Sequence, residues 1–82
     1  MSGREHLLRL AEIYGQGHGI PKTTVSWRLF QDTSKLEGIE QGRDLYLGRF
    51  ERAMQYLSDT WPSDTTWPAD VPRPAPSRKE ED

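Results

Sequence analysis

Five of the six prolines in this 82-residue chain stand at 62, 68, 72, 74 and 76, and that placement decides where regular structure can form. A proline inside a helix removes a backbone hydrogen bond and clashes with the preceding turn, so helix is confined to about the first 60 residues. The sixth, Pro21, follows the glycine alternation Gly15-Gln16-Gly17-His18-Gly19. That run lacks helix propensity, and proline fits the first position of a new helix, where its missing N–H has no partner anyway. The N-terminal region is therefore divided into two helices with a turn between them.

Apolar spacing fills in the elements. From Arg4 to about Gln16, the residues Leu7, Leu8, Leu10, Ala11, Ile13 and Tyr14 form a broad helical stripe, with Arg4, Glu5, Arg9, Glu12 and Gln16 outside it. Ser2 and Glu5 have the spacing of a capping box, and the glycines end the helix between 15 and 19. A second helix is expected at about 21–31, with Val25, Leu29 and Phe30 inward and Lys22, Thr23, Ser26 and Trp27 directed elsewhere. Its Thr23-Thr24-Val25 run is β-branched and weakens intrinsic propensity, so tertiary packing has to hold it. Residues 32–44 are polar except for Leu36 and Ile39, which suits a short helical turn stopped by Gly42. From 45 to 58, Leu47, Phe50, Ala53, Met54 and Leu57 form a clean stripe, with Asp44 as the expected N-cap.

Beyond Asp59 the chain carries a tandem, Trp61-Pro62-Ser63-Asp64 and Trp67-Pro68-Ala69-Asp70. Tryptophans are scarce in disordered segments and each buries on the order of 200 Å². Residues 61–74 are accordingly expected to form an extended strap packed on the domain or on a dimer partner, with Trp61 and Trp67 as interface residues and 75–82 as a disordered tail. The expected fold class is all-α: a domain over residues 1–60 of three main helices plus a short helical turn, with the Trp/Pro-rich strap at its C-terminal end.

Several function classes have no support. There is no cysteine, and His6 and His18 lack neighbours at metal-ligand spacing, so no metal or other cofactor is expected. Glu37 and Glu40 have no nucleophile or base beside them, and the glycine alternation follows a helix rather than a strand, unlike a nucleotide-binding fingerprint. An enzyme is not expected, and no small-molecule ligand is evident. No apolar run approaches the roughly 20 residues of a membrane span, and the N-terminus lacks the order of a signal peptide; a cytoplasmic protein without a membrane partner is expected.

Gly15, Gly19, Ile20 and Val25 have the chemistry of a helix-turn-helix corner: a small residue where two helices cross, a glycine in the turn, an apolar residue after it, and another six positions past the glycine. Thr23-Thr24-Val25-Ser26 resembles the opening of the recognition helix in bacterial repressors of the lambda-repressor-like class, over about residues 11–30. Two departures stand out: Arg28 lies where that class buries an aliphatic residue, so that Leu29 would take the buried role, and Gly17 adds a second glycine to a helix. On a wider scale, residues 4–74 are similar to small regulatory proteins of proteobacterial prophages and mobile elements.

The resemblance implies a transcriptional regulator that binds double-stranded DNA through the helix at 21–31. Lys22, Thr23, Ser26 and Trp27 would face the major groove, with Arg28, Arg43, Arg49 and Arg52 as candidates for phosphate contacts or, equally, solvated surface charges. Trp27 would contact a base, or belong to the core or an interface. A single short helix on a neutral domain binds weakly, so a homodimer or a protein partner is expected. Neutrality is a matter of count: residues 1–60 carry eight Lys/Arg (4, 9, 22, 28, 35, 43, 49, 52) and eight Asp/Glu (5, 12, 32, 37, 40, 44, 51, 59). The competing expectation is a protein–protein interaction module, such as an antiactivator, anti-CRISPR or adaptor, using exposed aromatics and the Trp-Pro strap.

Overall fold

The computed structural model describes residues 3–75. Ser2, the expected cap of the first helix, and positions 76–82 of the expected tail lie outside the described residues. The described chain is all-helical: α1 (Gly3–His18), α2 (Lys22–Phe30), α3 (Lys35–Glu40) and α4 (Leu47–Asp59), followed by the extended strap.

α1 continues through both internal glycines and stops at His18. Gly19 then takes a left-handed conformation, φ +69°, which allows Ile20 N–H to donate to Gly15 O at 2.9 Å and Gly19 N–H to Gln16 O at 3.3 Å. These are the two reverse bonds of a Schellman ending. Pro21 lies just outside α2 as its N-cap rather than at its first helical position, and its carbonyl accepts from Val25 N–H at 3.1 Å. α2 ends at Gln31, a non-glycine residue at φ 56° whose N–H returns to Trp27 O at 2.7 Å.

The core is made of Leu7, Leu10, Ala11 and Tyr14 from α1, Val25, Leu29 and Phe30 from α2, Leu36 and Ile39 from α3, and Ala53, Met54 and Leu57 from α4. Leu36 and Ile39 seat α3 as their three-residue spacing predicts, and Gly42 just past it has φ +102°. Two expectations for α4 are corrected. Its cap is Tyr46, not Asp44, because helix begins only at Leu47. Leu47 itself is 69% exposed, since the first turn of α4 projects past the core that its later turns cover.

The strap folds back on its own domain. Its two Trp-Pro units close in the same way: each indole N–H donates to the carbonyl four residues on, Trp61 to Thr65 O at 2.7 Å and Trp67 to Val71 O at 2.9 Å. Trp61 and Trp67 are half-buried, with ring centroids 4.8 Å apart, while Pro62 and Val71 are buried. Arg73 lies 4.9 Å over the Trp67 ring, and its guanidinium donates to Ser58 O at 2.9 Å and Ser58 Oγ at 3.0 Å. It thereby satisfies a carbonyl that the end of α4 leaves without a helical partner. Arg9 on α1 pairs with Asp70 at 2.9 Å.

Gly17 is explained by this strap. A Cβ built there would meet Pro62 Cγ at 2.8 Å and Thr65 Oγ1 at 2.7 Å, so the second glycine in α1 is where the first Trp-Pro unit rests against the helix.

Candidate nucleic-acid interface

The corner between α1 and α2 is built by contact. A Cβ at Gly15 would stand 3.0 Å from Ile20 O and 3.1 Å from Val25 Cγ2, tight enough that the turn or α2 would have to give way slightly. Glycine there lets α2 rest directly on α1, and the turn through Gly19 fixes the direction in which α2 leaves. The four residues picked out in the sequence, Gly15, Gly19, Ile20 and Val25, meet at this corner.

α2 is held by a face two residues wide, Val25, Ser26, Leu29 and Phe30, all buried. Ser26 is therefore corrected: it faces inward at 0% exposure, not outward toward a ligand. Its hydroxyl donates to Asp32 O and accepts from Leu36 N–H at 3.0 Å, tying the end of α2 to the start of α3. The signal was present in the sequence, because Ser26 precedes Phe30 by four residues and so shares its face. Leu29 takes the buried role and Arg28 stays outside.

The outward face consists of Thr23 and Trp27, spaced four apart, with exposed Arg28 and half-buried Thr24 beside them; Gln31, just past the helix end, is also exposed. Trp27 is 52% exposed, and Arg28 Nη1 reaches the Tyr14 hydroxyl at 3.5 Å. Thr24 and Gln31 were missed in the sequence reading, Gln31 because nothing local announces a left-handed helix end at a glutamine.

The two flanks of α2 differ in charge. Lys22 forms an ion pair with Glu40 at 2.7 Å. Its hydrogen bond to Glu40, and the further negative charge of Glu40, Glu37 and Glu12, hold its ammonium pKa above the ordinary 10.5. A groove of about 330 Å³ on this side is lined by Leu8, Gly15 and Ile20 with Glu12, Lys22 and Glu40 at its edge. On the other flank, Arg49 and Arg52 of α4 line a recess of about 70 Å³ with Leu29, Phe30 and Gln31.

Arg43 belongs to neither. Its side chain lies against Gly38 of α3, where a Cβ would come within 3.0 Å of its Cδ, and its carbonyl accepts from Arg4 at 3.3 Å. Trp61 and Trp67 are also away from α2's outward face, in the strap on α1 and α4. The structure thus leaves Thr23, Trp27 and Arg28 exposed on α2, sets Arg49 in the recess with Gln31 past the helix end, ties Lys22 to an acidic neighbour, and removes Ser26 into the core.

Among the described residues, no group of His, Asp and Glu is placed to hold a metal ion, and no helix is long and apolar enough to cross a membrane. Glu40 is engaged by Lys22, and Gln41 Nε2 donates to Glu37 at 3.5 Å. His18 packs edge-on to Tyr14 with its Nε2 at 3.1 Å from Thr60 O. No family model matches the chain, and no curated protein or solved structure matches it.

Proposed function

We propose that this chain is a DNA-binding transcriptional regulator of the helix-turn-helix kind, of the sort carried by phages and mobile elements, and that it reads double-stranded DNA with the outward face of α2. The observation that carries the reading is the corner at Gly15 and Gly19. It anchors α2 by Val25, Ser26, Leu29 and Phe30 and leaves Thr23, Trp27 and Arg28 in solvent, with Thr24 half-buried beside them.

These are groups that read base edges. Arg28 can pair with guanine in a bidentate way, the threonine hydroxyls with either kind of edge, and the Trp27 ring with a thymine methyl. The face is short, so a homodimer on two half-sites about 34 Å apart, or a multiple of that, is part of the proposal. Operator occupancy would be its mode of action, and its setting would be cytoplasmic.

A second reading is favoured by one observation: Tyr46 and Leu47 at the start of α4 are 77% and 69% exposed. Large apolar side chains held in solvent suit a protein partner, and with Trp27 they would serve an interaction module that never touches DNA. Titration of mixed-sequence and selected duplexes with the full chain and with a Thr23→Ala/Trp27→Ala variant separates the two. The DNA reading requires binding whose sequence preference is lost in the variant; the interaction reading requires no duplex binding at low salt.

A further inference from the structure

We infer that Arg49 and Arg52, with Gln31, form a seat for one phosphodiester of the nucleic-acid backbone, at the C-terminal end of α2. The inference rests on the DNA reading above and adds the point at which the backbone is gripped.

Arg49 and Arg52 are three residues apart on α4, which places them on one side of that helix. Both are exposed, and among the described residues neither forms an ion pair or a side-chain hydrogen bond. Other cations on this domain are already engaged: Arg9 by Asp70 and Lys22 by Glu40. An arginine presents five N–H donors in a planar fork that matches a phosphate, and two such forks over one small recess can take a single tetrahedral anion.

The floor of the recess is firm. Leu29 and Phe30 beneath it are core residues, and Gln31 is fixed by its left-handed backbone and its bond to Trp27 O. Its side chain borders the same recess and offers a neutral N–H pair. Nearby acids are turned away or engaged. Glu51 lines the groove on the other side of α4 with His6, Phe50 and Met54, and the Asp32 carboxylate accepts from Ser34 N–H and Oγ, both at 2.9 Å.

Charge around α2 gives the seat its direction. Glu12, Glu37 and Glu40 surround Lys22 at the N-terminal end, where a phosphate would be repelled. The backbone is therefore gripped at the Gln31 end, where the two arginine charges, near the positive start of α4, outweigh the partial negative charge of about half a unit at the end of α2.

The test compares the full chain with an Arg49→Gln/Arg52→Gln variant on a mixed-sequence duplex, following fluorescence anisotropy as a function of salt. Arg9→Gln is the control, since it removes an arginine already neutralised by Asp70. Far-UV circular dichroism and melting of each variant establish folding. Loss of one phosphate contact lowers the slope of log affinity on log salt by about 0.9, so between about 50 and 200 mM salt the parent loses about threefold more affinity than the variant. That result, with an unchanged slope in Arg9→Gln, supports the seat. Parent binding with the same slope in the double variant overturns the seat and leaves the DNA reading intact. No duplex binding by the parent, with binding of polyglutamate that the double variant loses, overturns the phosphate assignment in favour of an acidic protein partner.

Discussion

Ser26→Ala should unfold much of what holds α2 in place. The hydroxyl is fully buried and makes two bonds to the backbone, donating to Asp32 O and accepting from Leu36 N–H. Alanine fills nearly the same space, so no large cavity term enters. The loss is one net hydrogen bond at Asp32 O, about 1 kcal/mol, plus the Leu36 N–H left buried without a partner, about 1–3 kcal/mol. Asp32 O keeps a weaker bond from Lys35 N–H at 3.3 Å, which limits the first figure. The sum, about 2–4 kcal/mol, is a large share of a total that is as little as about 5 kcal/mol for a small domain. For a chain of this size it corresponds to a fall in melting temperature of about 8 °C or more. Thermal melting followed by far-UV circular dichroism reads this directly, with the exposed Thr23→Ala, expected within about 0.5 kcal/mol of the parent, as the reference. A Ser26→Ala protein that melts within about 2 °C of the parent, yet loses ligand binding, would refute the reasoning and return Ser26 to the outward face.

The strap supplies two further predictions. Gly17→Val places a branched side chain where even a Cβ meets Pro62 and Thr65 below 3 Å; it should lift the first Trp-Pro unit from α1, seen as a red shift of tryptophan emission with α-helical circular dichroism largely kept. Acid should loosen the second unit. The Arg9 hydrogen bond is the main cause holding the Asp70 carboxyl pKa below its ordinary 3.8. A depressed pKa means that the contribution is present above the unfolded value and is lost as pH falls through the folded one. Asp70→Asn should remove that part of the acid-induced change in Trp67 emission, and an identical acid titration in the variant would contradict the assignment.

Local periodicity was enough for the helices. The stripe Leu7, Leu10, Ala11, Tyr14 and the stripe Phe50, Ala53, Met54, Leu57 each repeat at three and four residues and each lies in the core or, for Phe50, against it. The corner residues Gly15, Gly19, Ile20 and Val25 could be read because their roles depend on near neighbours in the chain. What could not be read depends on distant partners. Gly17 looked like a fault in α1 because Pro62 and Thr65, about 45 residues later, are what it accommodates. For Ser26 the spacing from Phe30 showed the buried face, but the partners that satisfy its hydroxyl, Asp32 O and Leu36 N–H, are brought to it only by the turn after α2. Leu47 fitted the apolar stripe, but it stays 69% exposed at the rim of an open groove with Gly3 and Arg4 of α1. Lys22 was expected to face the major groove, but α3 places Glu40 at 2.7 Å from it, and Arg49 and Arg52 met Gln31 only through the packing of α4 on α2.

The most direct test of the central claim is a titration of double-stranded DNA with the folded chain at about 50 mM salt, read by anisotropy and repeated at rising salt. The account predicts saturable binding that weakens linearly on a log–log scale with salt and is reduced by Thr23→Ala/Trp27→Ala without loss of fold. No binding at that salt by a folded sample, or binding that the α2 substitutions leave unchanged, would contradict it.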